Sequence, residues 1–265
     1  MTTARILPLG FISPGRARRL VERHVYAYRK SWWFIVSGFF EPFFYLLSIG
    51  LGLNHLVGNL DLAGRSVVYA KYVAPGLLAS SAMNGATIDA TFQTFFMLKI
   101  AKTFDAMLAS PIRVRDVAVG QIAWSVLRGS LYSFAFLCVM AALGLVVSPW
   151  AVLCFPAAVL IGFTFAALGV GLTCYMRSWQ DFDLVLLAIM PLFLFSAVFY
   201  PLTIYPGWLQ AVVTYTPLYQ GVVLLRDLDA GALSFVLLAH VAYLLALGSA
   251  GFALADRRLE RLLVR

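Results

Sequence analysis

The chain has 265 residues, of which 62% are hydrophobic and only 12% are charged, and this composition excludes an ordinary water-soluble domain. Its net charge of +8 does not indicate nucleic-acid binding, because the basic residues sit at the ends of long apolar runs, where lipid and topology signals explain them. We therefore expect an all-α polytopic membrane protein, with residues 1–265 forming a single membrane domain.

The N-terminal segment is rich in arginine, and we expect no cleavable signal peptide, since the first apolar run is long enough to span a bilayer. Residues 15–29 place Leu20, Val21, Val25 and Tyr28 near one face of a helix. This pattern predicts an amphipathic helix on the cytoplasmic leaflet. Two roles stay open for it: a topology anchor, or a transmitter of motion from a partner.

Six membrane crossings are predicted, because a crossing needs about 20 mainly apolar residues. They lie at about 31–53, 72–96, 117–146, 151–176, 184–200 and 232–254. Ser148-Pro149-Trp150 joins the third and fourth, which predicts a tight antiparallel turn. The fourth crossing also offers small residues to a neighbouring helix, at Gly162 with Ala166 and at Ala167 with Gly171.

Residues 99–111, between the second and third crossings, are too polar to cross and too apolar for a solvated loop. Phe104, Met107 and Leu108 recur at helical spacing, and Ser110-Pro111 ends the pattern. A short helix with an exposed apolar face would suit docking into a groove on another protein. Folding back onto the membrane surface is the alternative.

Three charged residues lie inside predicted crossings, Glu41, Asp89 and Arg128. A buried charge requires a partner or water. Arg128 lies roughly 16 Å along the third crossing, a depth that matches Glu41 better than Asp89, so Glu41 is the preferred partner. The pair could fix helix register, contact substrate or act in a moving gate.

Prolines break the segment after the fifth crossing. Proline cannot continue a helix without losing a backbone hydrogen bond, and irregular backbone is tolerated at membrane depth only when protein or water covers it. Residues 200–225 are therefore predicted to form a broken re-entrant or interfacial hairpin. The residues that define it are Tyr200, Pro201, Pro206, Trp208 and Pro217.

The basic residues divide very unevenly between the two sides of this arrangement. Sixteen lysines and arginines fall on the side of both termini, and only Arg65, Lys71 and Arg226 fall on the other. Because cytoplasmic loops are enriched in basic residues, both termini are predicted to be cytoplasmic.

Several ordered motifs resemble the ABC-2 permease family, in particular its NodJ-like branch, named for exporters of lipo-oligosaccharide nodulation factors. They are Glu41-Pro-Phe-Phe-Tyr-Leu-Leu47, Tyr72-Val-Ala-Pro-Gly-Leu-Leu-Ala-Ser-Ser-Ala-Met-Asn84, Thr103-Phe-Asp-Ala-Met-Leu-Ala-Ser-Pro111, Phe199-Tyr-Pro-Leu-Thr-Ile-Tyr-Pro-Gly-Trp-Leu-Gln210 and Thr216-Pro-Leu-Tyr219. Asp89 departs from the family, where glutamate is usual.

The resemblance implies an exporter of the bacterial cytoplasmic membrane, in which two permease copies, expected to be a homodimer, bind a dimer of cytoplasmic ATPase subunits. Residues 99–111 would be the coupling helix, and residues 200–225 would lie on the external side. The implied ATPase-coupling residues are Thr103, Phe104, Asp105, Met107, Leu108, Ser110 and Pro111.

The chain itself is not expected to be an enzyme or to bind a cofactor. It contains no GxxxxGK[ST] phosphate loop, so ATP and magnesium would bind to the partner ATPase. Cys138, Cys154 and Cys174 lack metal-ligand spacing and read as core residues.

The expected cargo is amphipathic, such as a lipid-linked saccharide, a glycolipid or a lipo-oligosaccharide, and efflux of hydrophobic drugs is the runner-up. An intramembrane enzyme using Glu41, Asp89 and His24 or His55 fits less well, because the histidines flank opposite ends of the first crossing. A membrane scaffold would leave the matched motifs unexplained.

Overall fold

The computed structural model describes residues 21–22, 26, 43–48, 52, 59–62, 65–109 and 113–263. The described part is mainly helical. Its α-helices are α1 (Tyr69–Phe95), α2 (Thr103–Leu108), α3 (Val114–Ala142), α4 (Cys154–Thr173), α5 (Phe182–Phe195), α6 (Gly207–Thr214), α7 (Pro217–Ala230) and α8 (Val236–Leu263). A π-helical turn, Phe96–Ile100, follows α1, and 3₁₀ turns cover Pro149–Leu153, Trp179–Asp181 and Leu202–Ile204.

A two-stranded antiparallel hairpin precedes α1 and was not predicted from the sequence. Strand β1 (Asn59–Leu62) pairs with β2 (Arg65–Val68), with Asn59 opposite Val68 and Leu62 opposite Arg65. β2 leads directly into α1, whose first residue is Tyr69. The otherwise helical chain therefore carries a small β element between its first two predicted crossings.

Among the described residues, three helical segments are long and apolar enough to cross a membrane, Val114–Ala142, Pro149–Thr173 and Val236–Leu263. They coincide with the third, fourth and sixth predicted crossings. α1 matches the second in position, and its 27 residues extend about 40 Å at 1.5 Å per residue. The first predicted crossing lies mostly outside the described residues, as does the predicted interfacial helix at 15–29.

The fifth predicted crossing ends earlier than expected. α5 has 14 residues and stops at Phe195, five residues before the predicted end at Tyr200. At 1.5 Å per residue it is about 21 Å long, shorter than a hydrocarbon core of about 30 Å. The helix stops because Ala197 takes a left-handed conformation, with φ of 55°, which α-helical geometry does not allow.

α1 is the central helix of the bundle. It packs against α3, α4 and α7, and 20 of its 27 residues are buried. The buried hydroxyls of Ser80, Thr87 and Thr91 donate to backbone carbonyls of the same helix, as Thr87 does to Met83 O at 2.7 Å. These three polar side chains are thereby satisfied inside an apolar bundle.

Small residues let α4 approach its neighbours closely, as the sequence predicted. A Cβ at Gly162 would lie 3.8 Å from Ala86 Cβ on α1, and a Cβ at Gly171 would lie 3.2 Å from Gly251 O on α8. Ala166 and Ala167 are fully buried between these contacts. The small-residue pairs in this helix therefore serve packing on two sides.

The core divides into two main clusters at opposite ends of the bundle. One holds the first half of α1, the first half of α4 and α7. The other holds the last part of α1, α2, the start of α3 and the ends of α4 and α8. α1 runs through both, so it connects the end that carries α2 to the end that carries α7.

Candidate functional sites

Asp89 on α1 and Arg128 on α3 form an ion pair inside the bundle. Arg128 Nη1 lies 2.5 Å from Asp89 Oδ1, and Ser125 Oγ donates to Asp89 Oδ2 at 2.9 Å. The side chain of Asp89 is 3% exposed and that of Arg128 is 18% exposed. Each carboxylate oxygen therefore has a donor, which a charge removed from water requires.

Tyr132 extends this pair by one helical turn. Arg128 Nε donates to the Tyr132 hydroxyl at 3.0 Å, and the tyrosine ring lies against α1 at Gly85. A Cβ at Gly85 would approach Tyr132 Cδ2 to 2.9 Å, and one at Gly129 would lie 3.4 Å from Ala86 Cβ. The two glycines thus let α1 and α3 come close enough for the pair to form.

Arg128 pairs with Asp89, which the depth comparison had ranked behind Glu41. Glu41 itself lies outside the described residues. The depth comparison failed because the helix ends were misplaced. Helical structure continues to Ile100, eleven residues beyond Asp89, and α3 begins at Val114, fourteen residues before Arg128. At 1.5 Å per residue, Asp89 lies about 17 Å from Ile100 and Arg128 about 21 Å from Val114, so the two charges have a similar depth from the same end of the bundle.

α2 occupies the predicted coupling position, but its apolar face is not exposed. Phe104 is 2% exposed and Met107 is 9% exposed, and both belong to the core cluster formed with the start of α3 and the end of α8. The prediction of an exposed apolar face is therefore wrong. A 3.6-residue periodicity of apolar residues is the same whether the helix face docks on another protein or packs within its own chain. Here the chain's own helices cover the apolar face of α2.

The outward side of this segment is small and polar. Ala106, Ala109 and Lys102 are exposed, and Thr103 is half-buried. Lys102 has a φ of 47°, in the left-handed region that non-glycine residues seldom adopt, and the preceding turn is π-helical. The side chains of Asp105, Ser110 and Pro111 lie outside the described part of the structure.

The segment predicted as a hairpin, residues 200–225, is interrupted at each predicted proline. Pro201 precedes a 3₁₀ turn, Pro206 precedes α6, and Pro217 is the first residue of α7. Proline suits these positions because its missing N–H would lack a partner in the first helical turn anyway. Tyr200 and Trp208 are exposed, at 54% and 71%.

Side chains satisfy the backbone carbonyls that these breaks leave without helical partners. Gln210 Nε2 donates to Tyr205 O and Gln220 Nε2 donates to Thr214 O, both at 2.7 Å. Tyr243 Oη, on α8, donates to Tyr215 O at 2.6 Å. Irregular backbone covered in this way can lie at membrane depth.

Sequence reasoning assigned no role to Arg226, which it counted only among the three basic residues on the side opposite the termini. Arg226, on α7, is only 7% exposed, and its guanidinium donates to Tyr72 O at 3.2 Å and to Val198 O at 2.8 Å. Its Cζ lies 3.9 Å from the centre of the Tyr72 ring. The available signal was an arginine within the apolar run Val222–Leu228, close to several tyrosines.

Asp229, in the last turn of α7, is a second buried charge that the sequence did not single out. It is fully buried, Val147 N donates to its Oδ1 at 3.3 Å, and its Oδ2 has no hydrogen-bond partner among the described residues. Burial raises the pKa of this carboxyl to about 6, against smaller opposing effects from Val147 N–H and Lys71. It lies between the 200–225 hairpin and the last crossing.

Comparison with known proteins identifies the family of the chain. Residues 16–230 match the family of ABC-2 type transporters. Nodulation protein J of Rhizobium meliloti (strain 1021) is 28% identical over 233 residues, which cover 87% of each chain. Nodulation protein J of Rhizobium leguminosarum bv. trifolii is 30% identical over 228 residues, 85% of each chain. The chain belongs to the ABC-2 type transporter family and is a homologue of the NodJ permeases.

Proposed function

We propose that this chain is the permease subunit of an ATP-driven exporter that moves an amphipathic substrate out across the cytoplasmic membrane. The observation that carries the proposal is the family match over residues 16–230, together with NodJ homologues that align with most of the chain. A separate ATPase dimer would bind ATP and magnesium and would drive two copies of this chain, with both termini on its side of the membrane.

The 99–111 segment is the proposed contact with that ATPase. Because Phe104 and Met107 belong to the core cluster that includes the start of α3 and the end of α8, a force applied to the exposed side of α2 at Ala106 would reach those helices. The π-helical turn at Phe96–Ile100 joins the same segment to α1. π-helical turns occur frequently at functional sites, which fits a segment where motion enters the bundle.

The proposed cargo is a lipid-linked saccharide, a glycolipid or a lipo-oligosaccharide, because the matched relatives are nodulation J proteins and the motif resemblance to NodJ-like permeases implies an amphipathic substrate. A pure acid/base role for the intramembrane charges is disfavoured by geometry, since Asp89 is held by both Arg128 and Ser125. Both oxygens of this carboxylate are therefore already engaged by donors from α3. We therefore assign the pair to the transport domain rather than to catalysis.

The test is to purify the chain with its cognate ATPase and to reconstitute both in vesicles. ATP hydrolysis should rise with a lipid-linked saccharide or lipo-oligosaccharide, and that molecule should cross the bilayer in an ATP-dependent way. Stimulation by hydrophobic drugs alone would assign the chain to drug efflux instead. Failure of any P-loop ATPase to co-purify with the chain would contradict the proposal as a whole.

A further inference from the structure

The buried guanidinium of Arg226 joins three elements that are distant in sequence. From α7 it donates to Tyr72 O in the first turn of α1 and to Val198 O in the irregular segment after α5. The ring of Tyr72 lies under it at 3.9 Å from Cζ. In the part of the chain that the structure describes, no carboxylate oxygen lies within 4.0 Å of this side chain.

Burying a cation costs free energy unless the charge is hydrogen-bonded or paired. Carbonyl oxygens and one aromatic face supply these interactions here, but only while the guanidinium stays in this position. Arginine suits the task because its planar fork reaches two acceptors at once while the plane stacks on a ring. A residue needed only for packing could have been apolar. The bonds made here therefore point to a role in holding α1 and the segment after α5 together.

The segment that Arg226 holds is the break at residues 196–200. Ala197 has the left-handed φ of 55°, Val198 is fully buried, and Tyr69 Oη donates to Phe199 O at 3.2 Å. On α1, Gly76 faces the break, and a Cβ there would lie 3.2 Å from Val198 Cα. The break thus contacts the first turns of α1 through the Tyr69 hydroxyl and at Gly76, and Arg226 of α7 bonds to both the break and α1.

We propose that Arg226 is a positioning residue for transport: it makes the break and the 200–225 hairpin move with α1. The inference rests on the proposed function, because it gives motion that enters at α2 a route to the opposite end of the bundle. α1 runs from the core cluster that contains α2 to the cluster that contains Leu218, Leu224 and Leu225 of α7. Arg226 connects the far end of that helix to the hairpin.

The local part of the proposal is tested on the purified permease in detergent, without ATPase or substrate. Val198→Cys, in a background lacking the three native cysteines, reports opening of the break, and native Cys174 alone reports the opposite end, where it is 3% exposed. Arg226→Met should raise the thiol-labelling rate at position 198 at least about tenfold and leave Cys174 unchanged, as local opening would. Arg257→Met, at an exposed arginine of α8, is the matched control and should change neither rate.

Two milder variants keep the test decisive if Arg226→Met unfolds the protein and both thiols react. Arg226→Lys keeps the charge but loses the fork and the stacking plane, so it should give an intermediate rate at position 198. Tyr69→Phe removes only the hydroxyl bond to Phe199 O and should give a small local increase. Unchanged labelling at position 198 in Arg226→Met, or in both milder variants if Arg226→Met unfolds, overturns the inference.

The transport arm uses the reconstituted complex. Arg226→Met should retain ATP hydrolysis while export falls at least about tenfold, and Arg226→Lys should recover part of it. If the unaltered protein and Arg226→Met export substrate equally well, the inference is overturned and the proposed function stays intact. Absence of export by the unaltered protein would count against the proposed function, and the labelling result would still decide whether Arg226 seats the break.

Discussion

Arg128 of α3 reaches Asp89 of α1 across 2.5 Å, and Ser125 donates to the second oxygen of the same carboxylate. Removing one partner of a buried pair leaves an uncompensated charge, which typically destabilises by about 3–5 kcal/mol, whereas replacing both partners can be nearly neutral. Arg128→Leu should therefore lower the melting temperature in detergent. The Asp89→Leu/Arg128→Leu double variant should regain most of that loss.

The double variant also separates two roles of the pair in reconstituted vesicles. Recovery of folding without export would assign the pair to the moving path, and recovery of both would make it a structural brace. Ser125→Ala is the matched control, since it removes one hydrogen bond and leaves the charges paired, for a loss of about 1 kcal/mol. An unchanged melting temperature for Arg128→Leu would contradict the assignment.

Substitutions in α2 should separate stability from coupling. Phe104→Ala removes a buried ring from the core and should cost about 3 kcal/mol of stability, seen as a lower melting temperature of the permease alone. Ala106→Glu lies on the exposed side and should change stability by less than about 0.5 kcal/mol. With the ATPase present, Ala106→Glu should reduce substrate-stimulated hydrolysis. Full stimulation would place the contact elsewhere.

Two glycines offer a direct test of helix packing. A Cβ at Gly251 would lie 2.9 Å from Leu168 N and 3.0 Å from Ala167 C, so backbone would have to move. Gly251→Ala should destabilise by about 1–3 kcal/mol through overpacking. Gly207→Ala is the matched control, because a Cβ there meets nothing within 4 Å and should be neutral or slightly stabilising. Equal melting temperatures for the two variants would refute close packing of α4 on α8.

Asp229 predicts a pH dependence of stability. Its pKa is raised from 3.8 to about 6 by burial, so the folded state holds the proton more tightly than the unfolded state. The resulting stabilisation is complete below about pH 4 and is lost as pH rises through about 6, by about 3 kcal/mol for a shift of this size. Melting temperature should fall over that range.

Asp229→Asn should remove this part of the pH dependence, because the amide stays neutral and still accepts from Val147 N. Asp183→Asn, at an exposed carboxyl at the start of α5, is the control and should keep the wild-type profile. A profile for Asp229→Asn that overlays that of the unaltered protein would show that folding does not raise the pKa of Asp229.

The orientation inferred from basic residues is tested by thiol labelling in intact cells. In a background lacking the native cysteines, Leu263→Cys should be shielded from a membrane-impermeant reagent, and Asn59→Cys should react. Leu263 ends α8 and Asn59 begins β1. Labelling of the Leu263→Cys protein from outside would reverse the topology.

The sequence by itself determined the membrane class, the positions of α3, α4 and α8, and the family. These depend on composition, on apolar runs longer than about 18 residues and on ordered motifs, all of which are properties of the chain alone. The breaks at Pro201, Pro206 and Pro217 were predictable for the same reason, since proline disrupts a helix through its own covalent structure.

Only the tertiary structure decided which charges pair and which faces are covered. Asp89 meets Arg128 because helical structure after α1 continues to Ile100 and α3 begins at Val114, which brings the two charges to a similar depth, and the apolar runs alone did not locate these helix ends. Phe104 faces the chain's own core, and Arg226 binds carbonyls 154 and 28 residues away along the chain. Such contacts depend on how helices pack against one another, and helical periodicity does not specify the neighbour.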